Sequence, residues 1–279
     1  MSVKISAADV KKLRDMTGAG MMDCKKALSE AGGDFDKAIE ILRKKGEKLS
    51  AKRADRAATE GVVLAVVSDD KTKGVVVKLS CETDFVSKNE SFVDLTKQFA
   101  DIALTNFPAS LEELLALPFA DGISVGEKVT EQLGVIGEKI ELSSYEKIEA
   151  AMVAPYIHMG NKAGVLVGLN KAGDDAVYNA GRDVAMQVAA MRPVAVDKDG
   201  VDQSIIEKEI EIGMEVARNE GKPEAMLERI ATGKLNKFFK ENTLLNQQFV
   251  KNSKQSVAAF LKSFDGELTV TDFKHVTLG

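Results

Sequence analysis

Apolar residues recur along this chain in two rhythms, and the switch between them divides it. From residue 7 to residue 45 spacings of three and four prevail, which predicts three short helices. The first is capped by Ser6 and ends near Met16, where Gly18 and Gly20 break it. The second covers 21–31. The third covers 35–45, with Asp34 as cap, Ala38, Ile39 and Leu42 on one face and Gly46 as its stop. Residues 47–58 read as a charged linker. The pattern then changes to β-branched runs, 61–67 (GVVLAVV) and 75–82 (VVVKLSCE), on either side of a turn rich in Asp and Lys, which predicts a β-hairpin. A helix capped by Ser87 or Asn89 comes next, with Phe92, Leu95, Phe99 and Ile102 on its buried face.

The order of hairpin and then helix returns further on. Helices opened by Ser110 and Ser124 lead to a turn over 134–137 and a strand over 138–145. A second hairpin, 151–158 with 164–169, precedes a helix over 174–191, and Pro155 marks its first strand as an edge. This repeat of pattern suggests an internal duplication. Residues 202–219 and 223–242 form two long helices joined by Gly221-Lys222-Pro223, with Ile206, Ile210, Val216 and Ala217 set to face Met226, Leu227, Ile230, Leu235 and Phe238 across an antiparallel seam. A helix over 253–264 and an alternating strand from Leu268 to Val276 close the chain; the strand would complete the second sheet. The fold class is therefore α+β: a helical module at 1–52, core subdomains at 57–143 and at 144–200 with 243–279, and an inserted helical hairpin at 202–242.

Composition narrows the function. With 44% hydrophobic and 29% charged residues in 279, the chain can bury more than one core, and no apolar run reaches the roughly 18 residues of a membrane span, so a soluble, cytoplasmic protein is expected. Its two cysteines, Cys24 and Cys81, are far apart and lack metal-ligand spacing, which points to reduced thiols. With two histidines and no legible Ser/His/Asp arrangement, neither enzyme chemistry nor a cofactor or metal is expected. The Gly18-x-Gly20 pair comes after a helix and lacks a Lys-Ser/Thr in register, so it is no phosphate loop. The net charge of −5 is unevenly spread: residues 1–56 hold 14 Lys and Arg against 9 Asp and Glu, leaving −10 for the rest. A basic module on an acidic body suits docking on an acidic surface, or simply solvated helix faces. Direct nucleic-acid binding is not expected from a chain with no Trp, three Tyr and no basic stripe interleaved with aromatics.

The stretch Ser80-Cys81-Glu82-Thr83-Asp84-Phe85-Val86 sits where the first hairpin gives way to a helix. On local chemistry it is a capped corner with Phe85 packed inward. That stretch and its continuation Ser87-Lys88-Asn89, together with Thr17-Gly18-Ala19-Gly20-Met21-Met22-Asp23-Cys24-Lys25-Lys26-Ala27-Leu28, resemble the bacterial elongation factor Ts family over essentially the full chain. The resemblance implies a guanine nucleotide exchange factor for elongation factor Tu. It makes the 1–52 module ubiquitin-associated-like, while the seam of the 202–242 hairpin is itself that of a short coiled coil, which would project from the core or pair two copies. It turns Thr83, Asp84, Phe85 and Val86 into a wedge that disturbs the partner's magnesium site. It also brings Lys11, Arg14, Met21, Met22 and Lys25, the Ile136-Gly137 loop and His158, from Tyr156-x-His158-x-Gly160, to the partner. Members of this family often carry a further helical module beyond the point where this chain stops. A second reading, a helical-hairpin scaffold whose basic N-terminus binds peptides or RNA, competes with it and differs by having no effect on GDP release.

Overall fold

A computed structural model describes residues 5–120 and 122–278. The elements run α1 (Ala7–Thr17), α2 (Met21–Glu30), α3 (Phe35–Arg53), β1 (Glu60–Val67), β2 (Lys73–Cys81), α4 (Asp84–Ser87), α5 (Glu90–Asn106), α6 (Leu111–Ala116), α7 (Val125–Ile136) and β3 (Ile140–Glu149). They continue with β4 (Met152–Ile157), β5 (Ala163–Leu169), α8 (Asp175–Met191), α9 (Gln203–Asn219), α10 (Glu224–Asn242), β6 (Gln248–Phe249), β7 (Asn252–Ser256), α11 (Val257–Lys262) and β8 (Val270–Thr277). Antiparallel sheets in the orders β1-β2-β3 and β4-β5-β8 form the centre. The chain is of mixed α+β class.

Alternation along β1 explains how the layers stack. Val62 and Leu64 point to one side, joining Val75, Val77 and Leu79 of β2 beneath Phe92, Leu95 and Phe99 of α5. Val63 and Ala65 point to the other side and meet Val153, Leu166 and Val276 of the second sheet. On the far face of that sheet Val165, Val167 and Leu169 receive Ala180, Val184 and Val188 of α8. The order is helix, sheet, sheet, helix. β1, β2 and β5 are buried on both faces, hence their nearly unbroken apolar runs in the sequence, while β3 and β8 are only partly buried and carry polar residues. The repeat of pattern read from the sequence is seen in the topology: each half pairs a hairpin with a helix, and a later strand joins the hairpin's second arm. Pro155 lies in β4, an edge strand, as expected.

Four expectations change. Gly46 does not stop the third helix, and the stretch read as a linker is largely its continuation to Arg53. Gly46 is buried against α7, where a Cβ would sit 3.0 Å from the Thr130 carbonyl and 3.7 Å from Gly134 Cα, so this glycine permits a close crossing of α3 and α7. Residues 134–136 are the last turn of α7 rather than a loop, and Gly137 (φ 79°) is its left-handed cap. The helix expected over 253–264 begins with strand β7, because β6 offers it a partner, and is helical only from Val257. In the α9–α10 pair the buried positions are Gly213, Ala217, Leu227 and Ala231, while Val216 and Met226 are exposed: one residue from a buried position turns a side chain by about 100° around the helix.

The crossing gives a test with an internal contrast. Gly46→Val should cost about 1–3 kcal/mol by forcing α3 off α7. Gly233→Ala, in the interior of α10 with open space around its Cα, should instead gain about 1 kcal/mol from helix propensity. Denaturant unfolding of both variants checks the pair, and a neutral Gly46→Val would show that the helices do not need this approach.

Candidate functional site

The β2-β3 ladder ends at the pair Cys81 and Ile140, and beyond it the two chains diverge. Side chains then take over from the backbone. The Lys139 N–H donates to the Glu82 carboxylate at 2.6 Å, and the Thr83 N–H donates to the Glu138 carboxylate at 3.0 Å. The Thr83 hydroxyl adds a second bond to Glu138 at 2.8 Å. Glu82 also accepts from Arg53 at 2.5 Å and Arg56 at 3.3 Å, so the end of α3 is tied to the corner. The Lys139 N–H and then Arg53 hold the Glu82 carboxyl below the ordinary carboxylate range. The Cys81 thiol is pushed up to about 11, chiefly by burial and then by the Glu138 charge, which keeps it an unreactive thiol.

Thr83 is extended and starts α4, a single turn of four residues. Asp84 is held by Lys88 at 2.6 Å, and the hydrogen bond from Lys88 lowers its pKa. Val86 is half-buried against the first core. Phe85 is 86% exposed. The inward-packed Phe of the capped-corner reading is therefore not what the chain adopts: α5 takes its cap from Asn89, and its core position goes to Phe92.

The remaining candidates lie on several elements. Met21 and Met22 are 52% and 64% exposed at the start of α2, and Lys11, Arg14 and Lys25 are exposed on α1 and α2. Gly18 (φ 71°) and Gly20 make the tight connection between those helices. Ile136 and Gly137 close α7, with Ile136 half-buried against the first core. His158 is exposed, its Nδ1 3.2 Å from the Tyr156 hydroxyl. It belongs to the turn between β4 and β5, so it is not the topological counterpart of the corner that holds Phe85. Its counterpart is Ser68: the Ser68 N–H donates to the Lys73 carbonyl in the first hairpin as the His158 N–H does to Ala163 in the second. The sheets stack so that this turn nevertheless reaches the corner's end of the molecule. A groove of about 750 Å³ joins Glu60, paired with Cys81, to His158, Arg192 and His275.

No local pattern points to Glu138, whose partner lies 55 residues away in the chain. Met159, 85% exposed beside His158, carries no signal of its own in the sequence, but Gly160 (φ 74°) after it marks the tight turn that pushes it outward.

The family whose sequence model is described as elongation factor TS matches residues 82–279, a stretch beginning at Glu82. Among relatives named elongation factor Ts, that of Christiangramia forsetii is 57% identical over 276 residues, 99% of each chain. That of Flavobacterium psychrophilum is 56% identical over 275 residues, again 99% of each, and that of Chloroherpeton thalassium is 44% identical over 273, covering 96% of this chain and 94% of its own. This chain belongs to the elongation factor Ts family. The relatives span the N-terminal helices as well as the core, so the elongation factor Ts likeness includes the Met21-Met22 stretch that precedes the matched model. No described helix is long and apolar enough to cross a membrane. Among the described residues there is no cluster of three potential metal ligands.

His275, in the groove, is half-buried, and its Nε2 is out of solvent contact with no protein partner. Burial, then the Arg192 charge, lowers its pKa. With the folded value below the unfolded one, near 6.5, the unfolded chain takes up the proton first as pH falls. Stability should thus be undiminished by this group above about pH 7 and decline as pH drops through 6.5 towards the folded value. Melting temperatures at pH 7.5 and 5.5 should differ less in His275→Gln than in the parent; equal differences would remove His275 as the cause.

Proposed function

We propose that this chain binds elongation factor Tu in its GDP-bound form and accelerates GDP release during translation elongation, acting as a guanine nucleotide exchange factor with no covalent step. Membership of the elongation factor Ts family supports the partner. The single observation that carries the mechanism is Phe85, an aromatic side chain held almost wholly in solvent on a braced corner. Such exposure costs a folded chain apolar area that it could have buried, and a partner recovers it. In this reading Phe85 enters an apolar gap between two helices of the GTPase near its magnesium site, Thr83 and Asp84 fix the corner, and Val86 anchors it to the core.

The energetics are those of linkage. A factor that weakens GDP binding must itself be bound more weakly by the GDP form, to the same extent. Burying a Phe side chain is worth about 1.5–3 kcal/mol, which at 1.4 kcal/mol per tenfold corresponds to roughly a ten- to hundredfold change in nucleotide affinity. The rest of the binding energy comes from docking elsewhere. Residues 1–52 supply it as a ubiquitin-associated-like module presenting Met21 and Met22 within a rim of Lys11, Arg14 and Lys25. Ile136-Gly137 and His158 add contacts from the two core subdomains. The α9–α10 hairpin is a coiled-coil arm whose exposed Ile212, Val216 and Met226 suit a second copy of the chain.

Thr271-Asp272-Phe273 repeats the corner's letters inside β8 and provides a control. Phe273 is half-buried against the second core, so Phe273→Ala should cost stability, short of the roughly 3–5 kcal/mol of a fully buried Phe, while the folded protein still exchanges. Phe85→Ala should slow catalysed release about ten- to hundredfold with the melting temperature nearly unchanged. Release of fluorescent GDP from elongation factor Tu, with thermal unfolding of both variants, decides the matter: normal exchange by Phe85→Ala would sink the wedge.

A further inference from the structure

We propose that Glu138 is the positioning residue of the Phe85 corner, and that it governs how fast nucleotide leaves the complex rather than how tightly the complex forms. The inference rests on the reading of Phe85 as the element that enters the partner.

A four-residue helix has no stability of its own, because nucleation fixes several dihedrals for one hydrogen bond. The direction in which Phe85 points is therefore set by what holds the residues on either side of it: Val86 packs on the first core behind it, and Thr83 sets the approach in front. Thr83 occupies the cap position, yet its side chain makes no bond to its own helix. Both its donors go instead to the two carboxylate oxygens of Glu138, at 3.0 and 2.8 Å. Since one donor is backbone and the other side chain, the pair fixes the orientation of the residue as well as its position. Bonds to an ionised carboxylate are the stronger kind.

Glu138 is itself held in place. Gly137 turns the chain sharply at φ 79°, its N–H bonded to the Leu133 carbonyl at 2.8 Å, and Lys139 next to it donates its N–H to Glu82. Just beyond the ladder, two consecutive residues on one side thus brace two on the other, each side accepting with a carboxylate what the other donates from its backbone. Were the brace absent, the corner could turn and Phe85 could fold back on the apolar surface beside Val86. The partner would then have to order it on binding, and a reacting element displaced by about 1 Å can cost about a hundredfold in rate.

The test uses the full-length protein with elongation factor Tu loaded with fluorescent GDP. Glu138→Ala should lower the maximal release rate about ten- to hundredfold while the concentration giving half-maximal rate changes less than about threefold, because docking surfaces elsewhere are untouched. Thr83→Ser, which keeps both donors, should retain the rate, and Glu138→Gln, which keeps one acceptor, should fall between. In the Phe85→Ala background Glu138→Ala should add nothing, whereas a merely structural role would add its own loss. In the free protein, the 19F signal of 4-fluorophenylalanine at position 85 should move away from the solvent-exposed shift when Glu138 is replaced by Ala, as the ring folds back on the protein. If Phe85→Ala slows release but folded Glu138→Ala and Glu138→Gln do not, this proposal fails alone. If Phe85→Ala itself releases GDP normally, the reading beneath it fails and takes the proposal with it.

Discussion

The stacking of the two sheets is the contact on which the rest of the architecture depends. It requires two glycines: a Cβ at Gly164 would lie 3.0 Å from Val63 and 3.1 Å from Val76, and one at Gly74 would lie 2.8 Å from Val153 and 2.9 Å from Leu166. Close approach puts Val63, Ala65 and Val76 of one sheet into the second. Each sheet then has only its outer face left to cover, and α5 and α8 must lie there. The stacking also fixes which ends coincide. With Gly164 against Val63 and Ala65 of β1 and Gly74 against Val153 of β4, the β4-β5 turn comes to the end of the molecule where β2 runs out. The corner of Phe85 and the turn of His158 come to the same end of the molecule by this constraint, although 73 residues separate Phe85 from His158 in the chain.

Rigidity at that end has a separate origin. Backbone ladders stop at Cys81, so the exposed corner would be the place to fray if only main-chain bonds held it. Carboxylates extend the order by two residues, and through Arg53 they connect the corner to α3, which crosses α7 at Gly46 and Gly134. The N-terminal helices are thereby tied to the core twice, once by apolar packing and once by charge. Their surface of exposed methionines is held at a defined position with respect to Phe85 rather than trailing on a linker.

Much of this was legible in the sequence, and the remainder was hidden for identifiable reasons. Strands buried on both faces announce themselves by unbroken β-branched runs, and caps at Ser6, Asp34, Asn89, Ser110 and Ser124 act locally, so these elements could be placed. Gly46 misled because a glycine in a helix stops it or lets another helix approach, and only the partner, α7, distinguishes the two. The direction of Phe85 was likewise undetermined by local pattern. Thr83 could cap its own helix or bond elsewhere, and the choice depends on Glu138, whose position is set by the fold of α7 and β3. Residues whose partners lie within four positions are readable; those whose partners lie across the fold are not.

The repeated topology of the two halves sharpens what is particular about the corner. Where β5 runs out, Asn170 occupies the place of Glu82, and its side-chain oxygen accepts the Thr269 N–H at 2.8 Å just before β8, as Glu82 accepts the Lys139 N–H just before β3. Lys171 then pairs with Asp265 and Glu267. The same topology has thus been closed twice by a side chain that accepts from the strand alongside, so the Glu82 half of the brace recurs in the fold, whereas the Thr83–Glu138 pair is particular to this corner. The two halves differ in the residues that come next. After Asn170 the chain turns through Gly173 to the Asp174 cap of α8 and presents no large apolar side chain, whereas after Glu82 it inserts one helical turn and exposes Phe85. An architecture with two equivalent corners therefore presents an aromatic group at only one of them, the corner where a carboxylate rather than an amide holds the turn.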